Sequence, residues 1–535
     1  MKTKLIKIHP KDNVAVAMTS LQPNEIIDLE GIAITILSPI QHKHKVALVD
    51  FNIGDAIYMY GVLVGKASAT IIKGMGLTTE NTIHQSEKTI QKTASIGWEA
   101  PDVSRWKDKT FMGYHRADGQ VGTTNNWLFF PLVFCENRNI ELLKDIFEKE
   151  LLKTKTDKNQ LLLRSLISGE TTIEPTPISE DVFENITIKF ITHPGGCGGI
   201  RQDAESLGRL LAGYVNNPNV AGVSVLSLGC QNLQIQQFKD TLHQMNPNLQ
   251  KPVLIFEQQQ LGTVDAMMHQ IITQSFAEIK NANLQKREPA ALSNLTIGLE
   301  CGGSDGFSGI SANPTLGMVS DYLVALGGTA ILAEFPELCG VEQEIVNRCV
   351  NEEHGSKFLE LMMDYEISAI NAGSGFDMNP SPGNIKDGLI TDAMKSAGAA
   401  KKGGTSPITD VLDYGEYIKN KGLNLLCTPG NDVESTTAIV GTGSNIVLFT
   451  TGLGTPTGNP ITPVIKVSSN SDLAQKMPDI IDFNTGEIIT GEKNIPEMAT
   501  DLLDFIIEVA SGRIETKAML LNQNDFIPWK RGVSL

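Results

Sequence analysis

The chain has 535 residues, 41% of them hydrophobic, and 44 Lys and Arg against 61 Asp and Glu leave a net charge of −17. That length predicts about two to four domains rather than one core, and the apolar content excludes global disorder. The acidity argues against nucleic acid or an anionic membrane as the main partner. The N-terminal MKTKLIKIHPKDN has lysines but no apolar stretch of signal-peptide length. No window reaches the roughly 18 apolar residues of a membrane span, so a cytoplasmic protein is expected. The cysteines Cys135, Cys197, Cys230, Cys301, Cys339, Cys349 and Cys427 are scattered and odd in number. That is not a disulfide framework; reduced thiols fit better, some of them available to metal.

Residues 1–75 carry short alternating runs (LIKI, NVAVAM, IAITIL, KVALVD, AIYMYG, VLVG) separated by Gly, Asp and Pro. Period-2 spacing of this kind predicts a small β domain. Residues 76–110 are polar and aperiodic and read as a linker. From 111 onward, apolar runs end at glycine-rich turns and are followed by helix-length stretches, as in LFFPLVF, ITIKFITH, VAGVSVLSLG, VLIFEQ, LTIGLE, TAILAE and NIVLFTTG. This alternation is the α/β signal, divided into halves at 111–290 and 291–535. Residues 137–180 read as one or two exposed helices with a polar loop, and 264–291 as another helix.

In open α/β sheets ligands gather at the carboxyl ends of strands. The polar motifs sit there: THPGGCGG (192–199), SLGCQN (227–232), LECGGSDGFSG (299–309), AEFPELCG (333–340), TPGNDVESTTA (428–438) and FTTGLGTPTG (449–458). The segment Gly298 to Gly317 is the densest, with six glycines beside Glu300, Cys301, Ser304, Asp305 and Ser308. Glycines at this density let backbone approach a ligand and free N–H groups for oxygen anions.

Several side chains at these ends carry chemistry. Cys197, Cys230 and Cys301 each follow a strand and a glycine turn; three thiolates at one sheet edge would bind iron or hold an iron–sulfur cluster, or simply pack as small residues. His193 is a metal ligand, a general base or a hydrogen-bonded structural residue. Glu300, Asp305, Glu334 and Glu337 are the acid candidates. Lys466, between apolar neighbours in PVIKVSS, is an edge residue or a buried amine of lowered pKa. Arg116, in HRADG, is a bidentate carboxylate clamp candidate.

Taken in order, these strings resemble the altronate dehydratase/galactarate dehydratase family of hexonate and hexarate dehydratases. The resemblance runs from HPKDNVAVAM at residue 9 to the terminal KRGVSL. It includes HKVALVD (44–50), YHRADGQVGTTNN (114–126), ECGGSDGFSGISANP (300–314), NPSPGN (379–384), PVIKVSSNS (463–471) and IDFNTG (481–486). QQQ at 258–260 and KREP at 286–289 look more like the altronate branch. The resemblance implies a small N-terminal β-rich SAF-type domain followed by a larger multi-domain α/β catalytic region. It also implies Fe²⁺ or Mn²⁺ and loss of water from a sugar acid, D-altronate giving 2-keto-3-deoxy-D-gluconate. Another aldonate or aldarate, a sulfonated hydroxy acid, or sugar-acid binding without turnover are the alternatives. A homodimer is compatible with this assignment.

That reaction removes a weakly acidic proton next to a carboxylate, so the site needs positive charge for the enediolate, a base and an acid. His193, Glu300, Asp305 and Lys466 are assigned to catalysis. Arg116, Ser304, Ser308, Asn313, Asn384, Asn431, Asp432 and Thr455 are assigned to substrate binding. His9, His44, Cys197, Cys230 and Cys301 are alternative metal ligands, not all of which would be used. Four places depart from the family pattern: Lys43 stands where the family has Gly, Gln231 where it has Glu, Ile385–Asp387 where it has Lys and small residues, and Leu453 where it has Arg.

Overall fold

A computed structural model describes residues 4–86, 89, 91–95, 97–151, 158–168 and 182–535. The chain divides into two compact units, Met1–Gly113 with Glu288–Trp529, and Tyr114–Arg287 with Lys530–Leu535. No helix among the described residues is long and apolar enough to cross a membrane.

In the first unit the N-terminal alternating runs become short antiparallel strands. Leu5–Ile6, Val14–Ala17 and Lys45–Ala47 form one sheet; Ala56–Met59, Val62–Ala67 and Thr82–Ile83 form another; Ile26–Leu29 pairs with Ile32–Thr35. Two hairpins close through two residues of positive φ, Glu30–Gly31 (55° and 84°) and Tyr60–Gly61 (57° and 82°). Turns of that hand match the twist of the flanking strands. Leu5, Ala15, Leu21, Ile27, Ile34 and Val46 fill the small core beneath them. Within 76–110, Thr82–Ile83 pairs with Lys66–Ala67. Trp106 is buried against Tyr322, with ring centroids 4.9 Å apart. Residues 87, 88, 90 and 96 of that stretch lie outside the described residues.

The rest of this unit is built on a seven-stranded parallel sheet. Its order is Ile408–Leu412, Gly422–Leu426, Thr329–Leu332, Thr296–Cys301, Ile446–Thr451, Val464–Ser468 and Phe483–Asn484. Thr296–Cys301 and Ile446–Thr451 are buried at every position, as expected of parallel strands covered on both faces. After Thr296–Cys301 the chain builds outward on one side through Thr329–Leu332, then returns to the other side with Ile446–Thr451. The crevice between these two strands is therefore the topological switch point, where α/β sheets bind ligands.

The second unit carries a four-stranded parallel sheet in the order Thr187–Phe190, Asn126–Pro131, Val220–Ser227 and Val253–Glu257. Trp127, Phe129, Ile140, Leu143, Phe147, Met267 and Ile271 form its core. Two expectations change here. The helix Asn137–Glu150 is amphipathic rather than exposed, because Ile140, Leu143 and Phe147 recur at helical spacing and are buried. The following helix is Lys158–Ser168, and residues 152–157 and 169–180 of the expected polar stretch are outside the described residues. The helix expected over 264–291 ends at Ala282, and Glu288–Ala291 is instead a strand paired with Thr110–Gly113. Pro289 cannot donate within a helix and is tolerated in a short strand.

The helix Ala312–Ala325 meets the turn Ala400–Gly403 at Gly317, where a Cβ would lie 2.1 Å from the Lys401 carbonyl. A side chain there must push the turn away, an overpacking that costs about 1–3 kcal/mol. Gly317→Val should lower the unfolding free energy measured in urea by about that amount, and an unchanged value would contradict the close approach.

Candidate active site

Glu300 and Cys301 end the strand at the switch point, and both are fully buried. The neighbouring strand Thr329–Leu332 runs into Glu334, which is held in the left-handed region at φ 67° and ψ 62°. A glutamate in that conformation stores strain, and such strain collects at functional sites. What holds it is on both sides of the residue. The Glu334 N–H donates to Thr428 Oγ1 at 2.8 Å, and Glu334 Oε2 accepts from the Cys301 N–H at 3.1 Å and from Lys402 Nζ at 2.6 Å.

Lys402 Nζ also lies 2.8 Å from Cys301 Sγ, and Cys301 Sγ lies 3.0 Å from Glu337 Oε2. Lys395 Nζ reaches Glu337 Oε1 at 2.6 Å. Ser435 donates to Glu300 Oε2 at 2.6 Å, and its hydroxyl is 2.9 Å from that of Thr428. Glu300 Oε1 and Glu334 Oε1 are buried without a hydrogen-bond partner among the described residues. Unpaired buried carboxylate oxygens are costly, so both suit the hydroxyl donors of a polyol. Gly302 leaves room for Asp432: a Cβ there would lie 2.0 Å from Asp432 Oδ2.

Burial sets the protonation of this group. It pushes the Glu300 carboxyl well up, helped by repulsion from Glu334, and pushes up Glu334, helped by Glu337. The Cys301 thiol is held protonated by burial and by the same two acids. Burial opposes ionisation of Glu337 as well, but Lys395 and Lys402 outweigh it and hold the carboxyl at about 2. Burial would neutralise the lysines; Cys301, Glu334 and Glu337 keep Lys402 charged, and Glu337 does the same for Lys395. Asp432 is pushed up to about 7 by burial and then by Glu334 and Glu337. The group thus holds two ammonium donors, two carboxyls whose ionisation burial opposes, and one half-buried acid poised near neutrality.

A second polar centre surrounds Asp305. Its Oδ1 accepts from Ser308 Oγ at 2.9 Å and Ser469 Oγ at 2.8 Å, and Oδ2 from Asn470 Nδ2 at 3.2 Å. Lys43 Nζ lies 2.9 Å from Asp305 Oδ2 and 3.1 Å from Asp387 Oδ1. Burial alone would lower the Lys43 ammonium, but the two aspartates hold it above its ordinary range. Lys43 and Asp387, two of the family departures, therefore form one ion pair. Lys45, wholly buried, donates to the Lys43 and Gly388 carbonyls and is pushed down to about 7 by burial.

The remaining expected residues take other places. Asn313 holds Thr450 Oγ1 at 2.7 Å and the Gly398 carbonyl at 3.0 Å, and Asn384 holds the Ser304 carbonyl at 2.7 Å. Asn431 is exposed at the residue before the helix Asp432–Gly441, and its side chain makes no capping bond there. Thr455 and the half-exposed Leu453 face Gly303, at 3.1 and 3.4 Å from where a Cβ would sit. Lys466 is buried, donates to the Thr457 carbonyl, and is lowered to about 8 by burial. His44 Nε2 meets the Lys386 carbonyl at 3.0 Å, and His9 Nδ1 accepts from the Lys11 N–H at 3.1 Å.

Arg116 and His193 belong to the second unit. The Arg116 guanidinium is spent on the Pro218 and Thr124 carbonyls, Asn125 Oδ1 at 2.8 Å and Gln285 Oε1 at 2.5 Å. His193 Nδ1 accepts from the Gly195 N–H at 3.1 Å, so Nε2 donates to the Pro131 carbonyl at 2.7 Å; burial lowers it to about 4. It is a neutral loop anchor. The three cysteines expected at one sheet edge fall on two sheets: Cys301 on the seven-stranded one, Cys197 and Cys230 beyond strands of the four-stranded one. Gln231 accepts from the Gly229 N–H at 2.8 Å and donates to Ser227 Oγ at 2.6 Å, bracing the turn that carries Cys230.

Two groups among the described residues place three ligand atoms within 4.8 Å of one another: Cys301, Glu334 and Glu337, and His84, Cys339 and Asp392. In the first, every residue is already in contact with Lys402 or Lys395, so the cation positions are taken by ammonium groups. In the second, His84 is ion-paired with Asp392, which raises the imidazole.

Family profiles match three consecutive segments: an altronate/galactarate dehydratase SAF domain over 3–85, the second domain of D-galactarate dehydratase/altronate hydrolase over 113–283, and the C-terminal domain of D-galactarate/altronate dehydratase over 292–534. The chain is 36% identical over 534 residues to altronate dehydratase of Bacillus subtilis and 35% over 533 residues to that of Escherichia coli, with 99% of each chain covered in both cases. It is 31% identical over 525 residues to galactarate dehydratase (L-threo-forming) of Escherichia coli, covering 96% of this chain and 93% of that one.

The chain belongs to the altronate/galactarate dehydratase family. It is a hydro-lyase acting on a sugar acid, built from an N-terminal SAF domain and an α/β region with two parallel sheets.

Within this dehydratase, Lys395 and Lys402 are the site residues that sequence reasoning passed over. They lie in MKSAGAAKKGG; the signal was the glycine and alanine density, which marks backbone packed too closely for larger side chains. Gly302→Ala tests the arrangement. The clash falls on Asp432 Oδ2 and, at 2.7 Å, on the buried Phe449 ring, so some unfolding stability should be lost while turnover at equal folded concentration drops at least about tenfold. Wild-type turnover would show that the Asp432 carboxylate does not work from this position.

Proposed function

We propose that this dehydratase acts on a six-carbon aldonate, converting D-altronate to 2-keto-3-deoxy-D-gluconate, in the cytoplasm and with Fe²⁺ or Mn²⁺. The observation that carries this reading is the pairing of Asp432, poised near 7, with a buried group of two ammonium donors and carboxyls raised by burial. Lys402 and Lys395 receive the substrate carboxylate and the negative charge that develops on it. Asp432 takes the proton from C2. A protonated carboxyl, Glu300 with its Ser435 and Thr428 hydroxyls behind it, gives its proton to the C3 hydroxyl, which leaves as water. The resulting enol becomes the 2-keto acid. A bound divalent ion would supply further positive charge to substrate oxygens; the Cys301–Glu334–Glu337 group does not fit one, since Lys402 and Lys395 already occupy that role, and no step here runs through it.

A base of pKa about 7 must be ionised to work, so kcat/KM should rise with pH through about 7. Asp432→Asn should cost at least about a hundredfold, the usual scale for acid–base groups, and flatten that limb. A full-height rise near 7 in this variant would assign the proton transfer to another group.

Leu453 favours a monoacid. An arginine there would add a hydrogen bond to charge worth about 1.5–3 kcal/mol, and an aldarate with its second carboxylate loses most from the absence. Altronate should therefore exceed galactarate in kcat/KM, and Leu453→Arg should move the ratio roughly tenfold or more toward galactarate. An unmoved ratio would show that position 453 does not meet the far end of the substrate.

A further inference from the structure

Three cysteines of the second unit follow three neighbouring parallel strands. In sheet order these are Thr187–Phe190, Asn126–Pro131 and Val220–Ser227, and beyond their carboxyl ends come Cys197, Cys135 and Cys230. Direct contacts bind the three loops together. The Phe134 N–H donates to the Gly195 carbonyl at 2.7 Å, and Gly196 packs so tightly on Phe134 that a Cβ would lie 2.4 Å from its ring. Asn232 Nδ2 donates to the Cys197 carbonyl at 3.0 Å and the Gly199 carbonyl at 2.9 Å. Each cysteine is thus next to, or two residues from, a residue that touches another cysteine's loop.

All three thiols are free and exposed. The three sulfurs are not among the groups whose ligand atoms lie within 4.8 Å of one another. Two thiolates on a single ion can be no farther apart than twice a bond of about 2.3 Å. One ion therefore cannot reach all three as they stand, whereas a polynuclear cluster bridges thiolates at wider spacing. Three exposed sulfur ligands with no carboxylate and no disulfide among them select iron–sulfur over hard cations.

We propose that Cys135, Cys197 and Cys230 ligate a 4Fe–4S cluster with one iron left free of protein thiolate. Three ligands for four irons leave that position open to a small exogenous donor. Cys301 has no part in the cluster, and Gln231 and His193 act as braces of the loops that present Cys230 and Cys197.

The test uses the full-length protein purified without oxygen from iron-supplemented cells, analysed for iron and acid-labile sulfide and by visible absorption. Iron and sulfide in near-equal amounts are expected in the wild type and in Cys301→Ser. Cys135→Ser, Cys197→Ser and Cys230→Ser should each lose most of both while keeping the near-ultraviolet circular dichroism of a folded chain. Iron without labile sulfide, or a Cys135→Ser protein with the full complement, would overturn the proposal. A protein that dehydrates altronate but carries no sulfide would overturn the cluster alone; one that carries the cluster but does not dehydrate altronate would overturn only the substrate reading.

Discussion

The constraint on which the first unit depends is the burial of Lys402 between Glu334 and Cys301. Glu300, Glu334, Glu337 and Cys301 stand together at the end of one strand pair, with Glu334 in a strained conformation. Burial pushes all of them toward the neutral form, and the lysines overcome that at Glu337. Lys402 bonds Glu334 Oε2 and Cys301 Sγ at once, and Lys395 secures Glu337. Removing one partner of such a buried pair leaves an uncompensated charge and costs about 3–5 kcal/mol. Much else follows from bringing Lys402 there. Gly317 lets the helix Ala312–Ala325 lie against its turn, and Gly403 packs on Leu332 of the sheet.

The same economy of space recurs at Asp305. Gly452 has no side chain because the Asp305 carboxyl occupies that volume, with its carbon 2.2 Å from where a Cβ would stand. Gly306 lies against Lys43, so the SAF domain delivers a cation from its own loop to an acid of the α/β region within the same unit. The Lys43–Asp387 contact sets the cation beside Asp305 against a second anion from the segment after NPSPGN.

Much of this architecture is legible in the sequence. VAGVSVLSLG and NIVLFTTG are apolar runs closed by glycine, and they are the strands Val220–Ser227 and Ile446–Thr451. Glycine density marked the loop after Cys301 for approach to a ligand; at Gly302 the close neighbours are the Asp432 carboxyl and the Phe449 ring. What could not be read is which strand ends share a sheet. Cys197, Cys230 and Cys301 have the same local signature, yet sheet membership is decided by long-range pairing that no window of sequence contains. Lys395 and Lys402 were illegible for a related reason: a lysine is classed as surface unless its partners are known, and its partners lie about a hundred residues away along the chain or belong to a different turn.

The central claim is that the buried lysines at the switch point are the charge donors of the dehydration. The most direct measurement is the rate of 2-keto acid formation from D-altronate by Lys402→Met, compared with the wild type at equal folded concentration established by near-ultraviolet circular dichroism. The account predicts a folded protein with turnover reduced at least about a hundredfold. A folded Lys402→Met protein that dehydrates altronate at the wild-type rate would contradict it.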